Sequence, residues 1–119
     1  MGEQLNRVVV NVEFDNLVNS AFKTDVFGVT IASGQGVLKR GTALALNAAG
    51  KCVILGTADA TANCILVKDV DATNSDVIAM AYREGHFNTG ALIVKDDYTL
   101  TAKDKEDFRS KNIILSDEL

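Results

Sequence analysis

At 119 residues, with 47% apolar and 24% charged side chains, the chain has the size of one domain and enough apolar residues for a modest core. Its net charge of −4 argues against a nucleic-acid partner, which needs clustered Lys and Arg, and no apolar run approaches the ~20 residues of a membrane span. Two cysteines, Cys52 and Cys64, are too few for a zinc set. The opening Met1-Gly-Glu-Gln-Leu has neither the basic nor the apolar part of a secretory leader, so synthesis in a reducing cytosol is expected.

Residues 1–6 are mainly polar and are expected to be disordered in isolation. Val8, Val10, Val12 and Phe14 then fall on even positions, with Arg7, Asn11, Glu13 and Asp15 on odd ones. Only Val9 breaks the alternation, which makes this the clearest amphipathic strand in the chain. Residues 16–27 carry a mixed signal: Leu17, Val18, Ala21 and Phe22 would share a helix face, while Val26 and Phe27 restart a β pattern. Residues 29–31 are β-branched throughout and end at Gly34 and Gly36. Thr42, Leu44 and Leu46 alternate with small residues, the Asn-Ala-Ala-Gly of 47–50 has hairpin length, and 51–55 returns as the partner strand.

Residues 56–63 read as a polar loop and 64–67 as a buried strand. A second polar loop, 69–76, precedes an alternating strand at 77–84 in which Ile78, Met80 and Tyr82 share a face, with Gly85 expected to end it. Residues 91–94 are apolar. Near the C-terminus, Thr101 and Asp104 have capping-box spacing, and Asp104, Glu106 and Asp107 precede Arg109 and Lys111 as a helix macrodipole favours. Asp107 and Lys111 are spaced as an i,i+4 ion pair. The helix is expected to end near Asn112, with 113–115 as a last strand. This pattern as a whole describes a small β-barrel or clip.

No motif in the chain carries catalysis or metal binding. Gly36 and Gly41 have phosphate-loop spacing, but Thr42 stands where the phosphate-binding Lys is required. His86 is the only histidine, and nothing in the spacing sets a nucleophile and an orienting acid beside it. Asp69, Asp71 and Asp76 begin like a calcium loop, but Asn74 takes the position of its obligatory glycine. Cys52 and Cys64 sit in apolar strand contexts where a thiol behaves as a small hydrophobe, and their pairing stays open. The chain contains no proline, a common guard of exposed sheet edges, so its edges need another form of protection.

The stretch Ala32-Ser-Gly-Gln-Gly-Val-Leu-Lys-Arg-Gly-Thr42 is followed by Gly50-Lys51, then by Ile65-Leu-Val-Lys-Asp-Val-Asp-Ala-Thr73 and Tyr82-Arg-Glu-Gly-His-Phe-Asn88. In order and spacing these resemble the phage head decoration proteins, the lambda-type capsid cement family, over residues 14–115. The resemblance implies a mainly β fold: a small β-clip or β-tulip-like barrel of about six to eight strands with one short C-terminal helix and an extended N-terminal arm. It divides the chain into an arm, 1–27, and a decoration domain, 28–119. It also implies a non-enzymatic virion structural protein, made in the host cytoplasm. Such a protein forms a homotrimer on the outer surface of an expanded capsid at three-fold sites and clamps the major capsid protein there. No cofactor, metal, membrane, nucleic acid or small-molecule substrate belongs to that role. On this reading Val8, Val10, Val12 and Phe14 contact the capsid or a neighbouring protomer. The alternative is a biotinyl- or lipoyl-like carrier, or another small β adaptor, with Lys51 as acceptor; carriers set that Lys in Met-Lys-Met or Asp-Lys-Ala, whereas Gly50 and Cys52 flank it here.

Overall fold

A computed structural model describes residues 17–19 and 23–116. Among the described residues the alternating stretches become strands: β1 (Asp25–Ile31), β2 (Gly36–Leu38), β3 (Ala43–Leu46), β4 (Cys52–Ile54), β5 (Thr61–Leu66), β6 (Val70–Ala72), β7 (Val77–Asn88) and β8 (Ile113–Ser116), with one α-helix, α1 (Ala102–Arg109), and a short 3-10 helix at Thr89–Ala91. Neighbours run β1-β4-β3-β5-β7, and β7 pairs back onto β1, so five strands close a barrel. Fewer strands form the ring than the six to eight expected. β2 and β6 have only three residues each and pair with one another off the ring, while β8 joins the outer flank of β7 in parallel.

Register decides what faces inward. Phe27, Val29 and Ile31 lie opposite Ala81, Ala79 and Val77, while Val26, Gly28 and Thr30 lie opposite Tyr82, Met80 and Ile78. Directly opposed residues share a face, so the first set lines the barrel and the second faces away from it. A ring of five strands leaves little room inside, which suits the small Ala79, Ala81, Cys52 and Cys64 beside Ile31, Leu44 and Leu66. A second apolar layer sits outside the ring. There Phe108 of α1, Phe87 of β7, Ile113 of β8 and Ile65 of β5 are fully buried against one another's elements.

Several local expectations hold and several are corrected. The Thr101 hydroxyl accepts the Asp104 amide at 3.0 Å and the Asp104 carboxylate accepts the Thr101 amide at 3.0 Å, completing the capping box. Tyr98 donates its hydroxyl to the same carboxylate. α1 ends at Arg109 rather than near Asn112, so Asp107 pairs with Lys103 at 2.9 Å and not with Lys111. The loop expected over 56–63 gives way to β5 at Thr61, and β6 interrupts the loop expected over 69–76.

Gly85 does not end β7. The strand passes through it to Asn88, because a side chain there would meet the Phe87 ring at 2.9 Å, and glycine alone allows that approach. Burial changes phase across this point: Tyr82 and Phe87 are both buried, with ring centroids 5.2 Å apart. Residues 17–19 are extended rather than helical. Val18 bridges Phe87, the Asn19 amide donates to the His86 carbonyl at 2.9 Å, and the Asn88 amide donates to the Leu17 carbonyl at 2.9 Å.

Candidate interaction surfaces

Val8, Val10, Val12 and Phe14 lie outside the described residues; what is described is the point where the chain that carries them enters the fold. Leu17 is 1% exposed, packed where a side chain on Gly41 would touch its Cδ1 at 3.6 Å. Residues 17–19 therefore bind the second half of β7 on the side opposite β8, and 25–27 already belong to β1. Both lie inside the 1–27 span assigned to the arm.

Six large apolar side chains are exposed among the described residues, and three of them share one surface. Val26 of β1 and Ile78 and Met80 of β7 all point out from the β1–β7 ribbon, with Gly28 and Thr30 between them. Ile78 is 76% exposed and Met80 47%. The alternation that groups them with Tyr82 is correct, but the shared face is the outer one. Tyr82 alone is covered, by Phe87 and by Arg40. No Lys, Arg, Asp or Glu interrupts the five positions, so this face lacks the charges that keep a sheet surface solvated.

Beside that ribbon β1 has an open edge. Its pairing with β4 is confined to Ile31 and Cys52, extended by one bond from the Ala32 amide to the Cys52 carbonyl at 2.9 Å. From Asp25 to Thr30 no described strand lies on that side. A groove of about 500 Å³ takes its place, lined in part by Phe27, Val29, Leu46, Cys52 and Ile78. At the start of β1 the Asp25 carboxylate accepts the Val26 amide at 3.0 Å and the Arg83 guanidinium at 2.7 Å, and that guanidinium holds the Asp25 carboxyl below its usual range.

The charged residues singled out in the sequence are spent on loops. The Asp69 carboxylate accepts the Arg40 amide at 2.7 Å, Asp71 accepts the Thr73 amide and hydroxyl, and Asp76 accepts the Ser33 amide at 2.8 Å and the Lys51 ammonium at 2.6 Å. Those last two contacts, the Lys51 bond foremost, hold the Asp76 carboxyl below its usual range. Lys51 is thus a tether between the β3–β4 hairpin and the β6–β7 loop. His86 is half-buried in β7 and lines a separate groove with Lys23, Glu84, Asn112 and Ile114, where no Ser or Cys stands among the described lining residues. Gly36 and Gly41 bracket β2 and a loop, and Thr42 is buried with its hydroxyl donating to the Lys39 carbonyl at 2.6 Å.

One structural residue escaped the sequence reading. Arg40 donates to the Tyr82 hydroxyl at 2.8 Å and the Val67 carbonyl at 3.0 Å, with its guanidinium 5.6 Å above the Tyr82 ring. It joins the β2–β3 loop to β5 and β7 over a separation of 42 residues, which no local pattern announces. Its only sequence signal is its place inside the Lys-Arg-Gly-Thr segment of the resemblance.

A search of curated proteins returns no match. A family model described as bacteriophage lambda head decoration protein D matches residues 15–113, which takes in all of the barrel, α1 and the start of β8. The chain belongs to the lambda head decoration protein D family, whose role is structural and whose place is the phage head.

Proposed function

We propose that this protein decorates the outer surface of an expanded phage capsid as a homotrimer, bound at three-fold positions to the major capsid protein, and that it stabilises the shell without catalysing a reaction. The observation that carries this reading is the family match over 15–113. The division of labour is an arm within 1–27 that reaches a partner and a body that includes 28–119 together with the start of β1 and forms the trimer. In the arm, Val8, Val10, Val12 and Phe14 form one face of a strand added to a capsid subunit or a neighbouring protomer.

The outer β1–β7 face supports the trimer. A stable interface needs an apolar centre with few charges, and Val26, Ile78 and Met80 supply one. Closed symmetry is the usual way for a small domain to cover such a face. Ile78→Asp with Met80→Glu is expected to leave the fold intact, since both side chains are exposed, and to convert the trimer to monomer by light scattering. A trimer that survives both charges would exclude this face.

The direct test mixes purified protein with expanded, undecorated capsids and measures bound copies against concentration. Saturation at a stoichiometry matching the three-fold sites is the expected result. Absence of saturable binding to the expanded shell of its own phage overturns the reading.

A further inference from the structure

One edge of the barrel lacks a strand. β1 pairs with β7 along Asp25–Ile31, but on its other side, among the described residues, only Ile31 finds a strand partner, Cys52 of β4. In an antiparallel ladder alternate residues turn their amide and carbonyl away from the partner, so those of 25–30 that do not serve β7 face the groove of about 500 Å³. Burial follows the pairing. Phe27, Val29 and Ile31 share a face, yet only Ile31, at the paired end, is fully buried. Phe27 and Val29 stay half-buried, and Leu46 on the groove wall is 39% exposed. The edge sequence over 26–30, Val-Phe-Gly-Val-Thr, holds no charge, and the chain has no proline, so two common guards of an open edge are missing.

The chain carries a segment that fits this edge. Residues 8–14 alternate Val8, Val10, Val12 and Phe14 with Val9, Asn11 and Glu13, and they match 25–30 in length to within one residue. Paired with β1, their apolar face would cover Phe27, Val29 and Leu46, and Asn11 and Glu13 would face water. The tether decides which copy supplies them. The Leu17 carbonyl accepts the Asn88 amide at the far end of β7, whereas Gly28, in the middle of the open edge, lies opposite Met80. At ~3.3 Å per residue of strand these two points on β7 are about 25 Å apart. From Leu17 the chain runs towards β1, so residues 8–14 of the same chain would have to turn back to reach the edge. Asn11, the middle of the segment, precedes Leu17 by only six residues. With about two of them spent on a reversal, the rest span roughly 14 Å. The same chain falls short, and a second copy does not.

We infer that residues 8–14 of one protomer dock as an added strand on the open 25–30 edge of β1 of a second copy. This rests on the arm reading above and selects its partner and its site. A segment of one copy seated on a different surface of the next is a heterologous contact, which closes into a ring when the rotation allows, as a three-fold oligomer requires. Ile78 stands both on the groove wall and on the outer β1–β7 face, so the docked strand and that face form one continuous interface.

The test uses the full chain and no capsid, so its failure leaves capsid binding untouched. Phe14 is replaced by photoreactive benzoylphenylalanine, which keeps an aromatic ring at that position. Equal amounts of heavy-isotope-labelled and unlabelled chain are mixed when dilute, concentrated together and irradiated. The expected peptides join position 14 to residues 27–30 or to Leu46, with as many mixed-isotope as matched pairs. Hydrogen exchange of the unsubstituted chain should show slowed amides within 25–30, and Val10→Asp should speed them by roughly tenfold or more. Cross-links confined to matched isotopes put the segment on its own body and overturn the proposal. Cross-links to another surface overturn it too, as does exchange over 25–30 that Val10→Asp leaves unchanged.

Discussion

Removing residues 1–15 separates the role of the arm from the stability of the body. The described part of the fold begins at Leu17, whose side chain is buried and whose carbonyl accepts the Asn88 amide, with a second bond from Asn19 to His86. Deletion of 1–15 leaves these contacts in place, so the melting midpoint should stay within about 3 °C of the full chain. Deletion of 1–19 removes them. Losing a fully buried Leu costs about 2–5 kcal/mol, and each backbone bond adds roughly 0.5–1.5 kcal/mol. At about 4–8 °C per kcal/mol for a domain of this size, the midpoint should fall by more than ~10 °C.

Binding should respond in the opposite order. Four apolar side chains of the arm gain about 1.5–3 kcal/mol each on burial, while ordering about eight residues costs roughly 1–2 kcal/mol apiece. The terms nearly cancel, so one arm binds weakly and three on a trimer act together, with an avidity gain of about 10²–10⁴. The 1–15 deletion should therefore melt like the full chain and decorate expanded capsids poorly, and Val10→Asp should do the same. Calorimetry and capsid co-sedimentation on the same samples check both halves. If the 1–15 deletion unfolds, the 8–14 strand belongs to the body and the arm reading fails. If it decorates as well as the full chain, capsid affinity resides elsewhere.

Three further outcomes are expected. Thr101→Ala removes the side chain that accepts the Asp104 amide, and should lower stability by about 1 kcal/mol in denaturant melts. Asp76 is held low by Lys51 and by the Ser33 amide, so its folded pKa lies below its unfolded one. The stability it contributes is present above the ordinary carboxylate range and is lost as pH falls through the folded value; Asp76→Asn should accordingly flatten the acid limb of the midpoint-against-pH curve, and an unchanged limb would refute the linkage. His86→Ala should leave capsid binding within about 0.5 kcal/mol by titration, as its strand contact to Asn19 is made by the backbone.

What was legible in the sequence was what is decided locally. The β3–β4 hairpin follows from Asn47 and Gly50: the Asn47 side chain accepts the Ala49 and Lys51 amides, Gly50 takes φ +80°, and Leu46 then meets Cys52 in register. The helix start follows from Thr101 and Asp104 in the same way. Alternation, by contrast, says which residues share a face and not which face is covered. Ile78 and Met80 were grouped correctly, but only the closure of β7 onto β1 turns them outward. Gly85 was misread for a related reason. Alone it signals a stop, and only β8, pairing from Gly85 to Asn88, shows why the strand continues. Arg40 depends on strands distant in sequence, where periodicity carries no information.

β7 accounts for the way these parts combine. Its first half closes the barrel against β1 and presents Ile78 and Met80 outward; its second half holds β8 on one side and residues 17–19 on the other, over the buried Phe87 and Phe108. The root of the arm and the outer apolar face are thus two ends of one twelve-residue strand. A pull on the arm directed along β7 loads the Asn19–His86 and Leu17–Asn88 bonds together, since both cross to the same strand. It then passes into the layer of Phe87, Phe108 and Ile113 rather than into the β1–β4 seam, which a single residue pair holds. A tether anchored on that seam would open the barrel under load, whereas one anchored on β7 pulls against the fully buried Phe87, Phe108 and Ile113. If the segment before Leu17 bears load, as the proposed arm would, this placement of its root is the mechanically sound one.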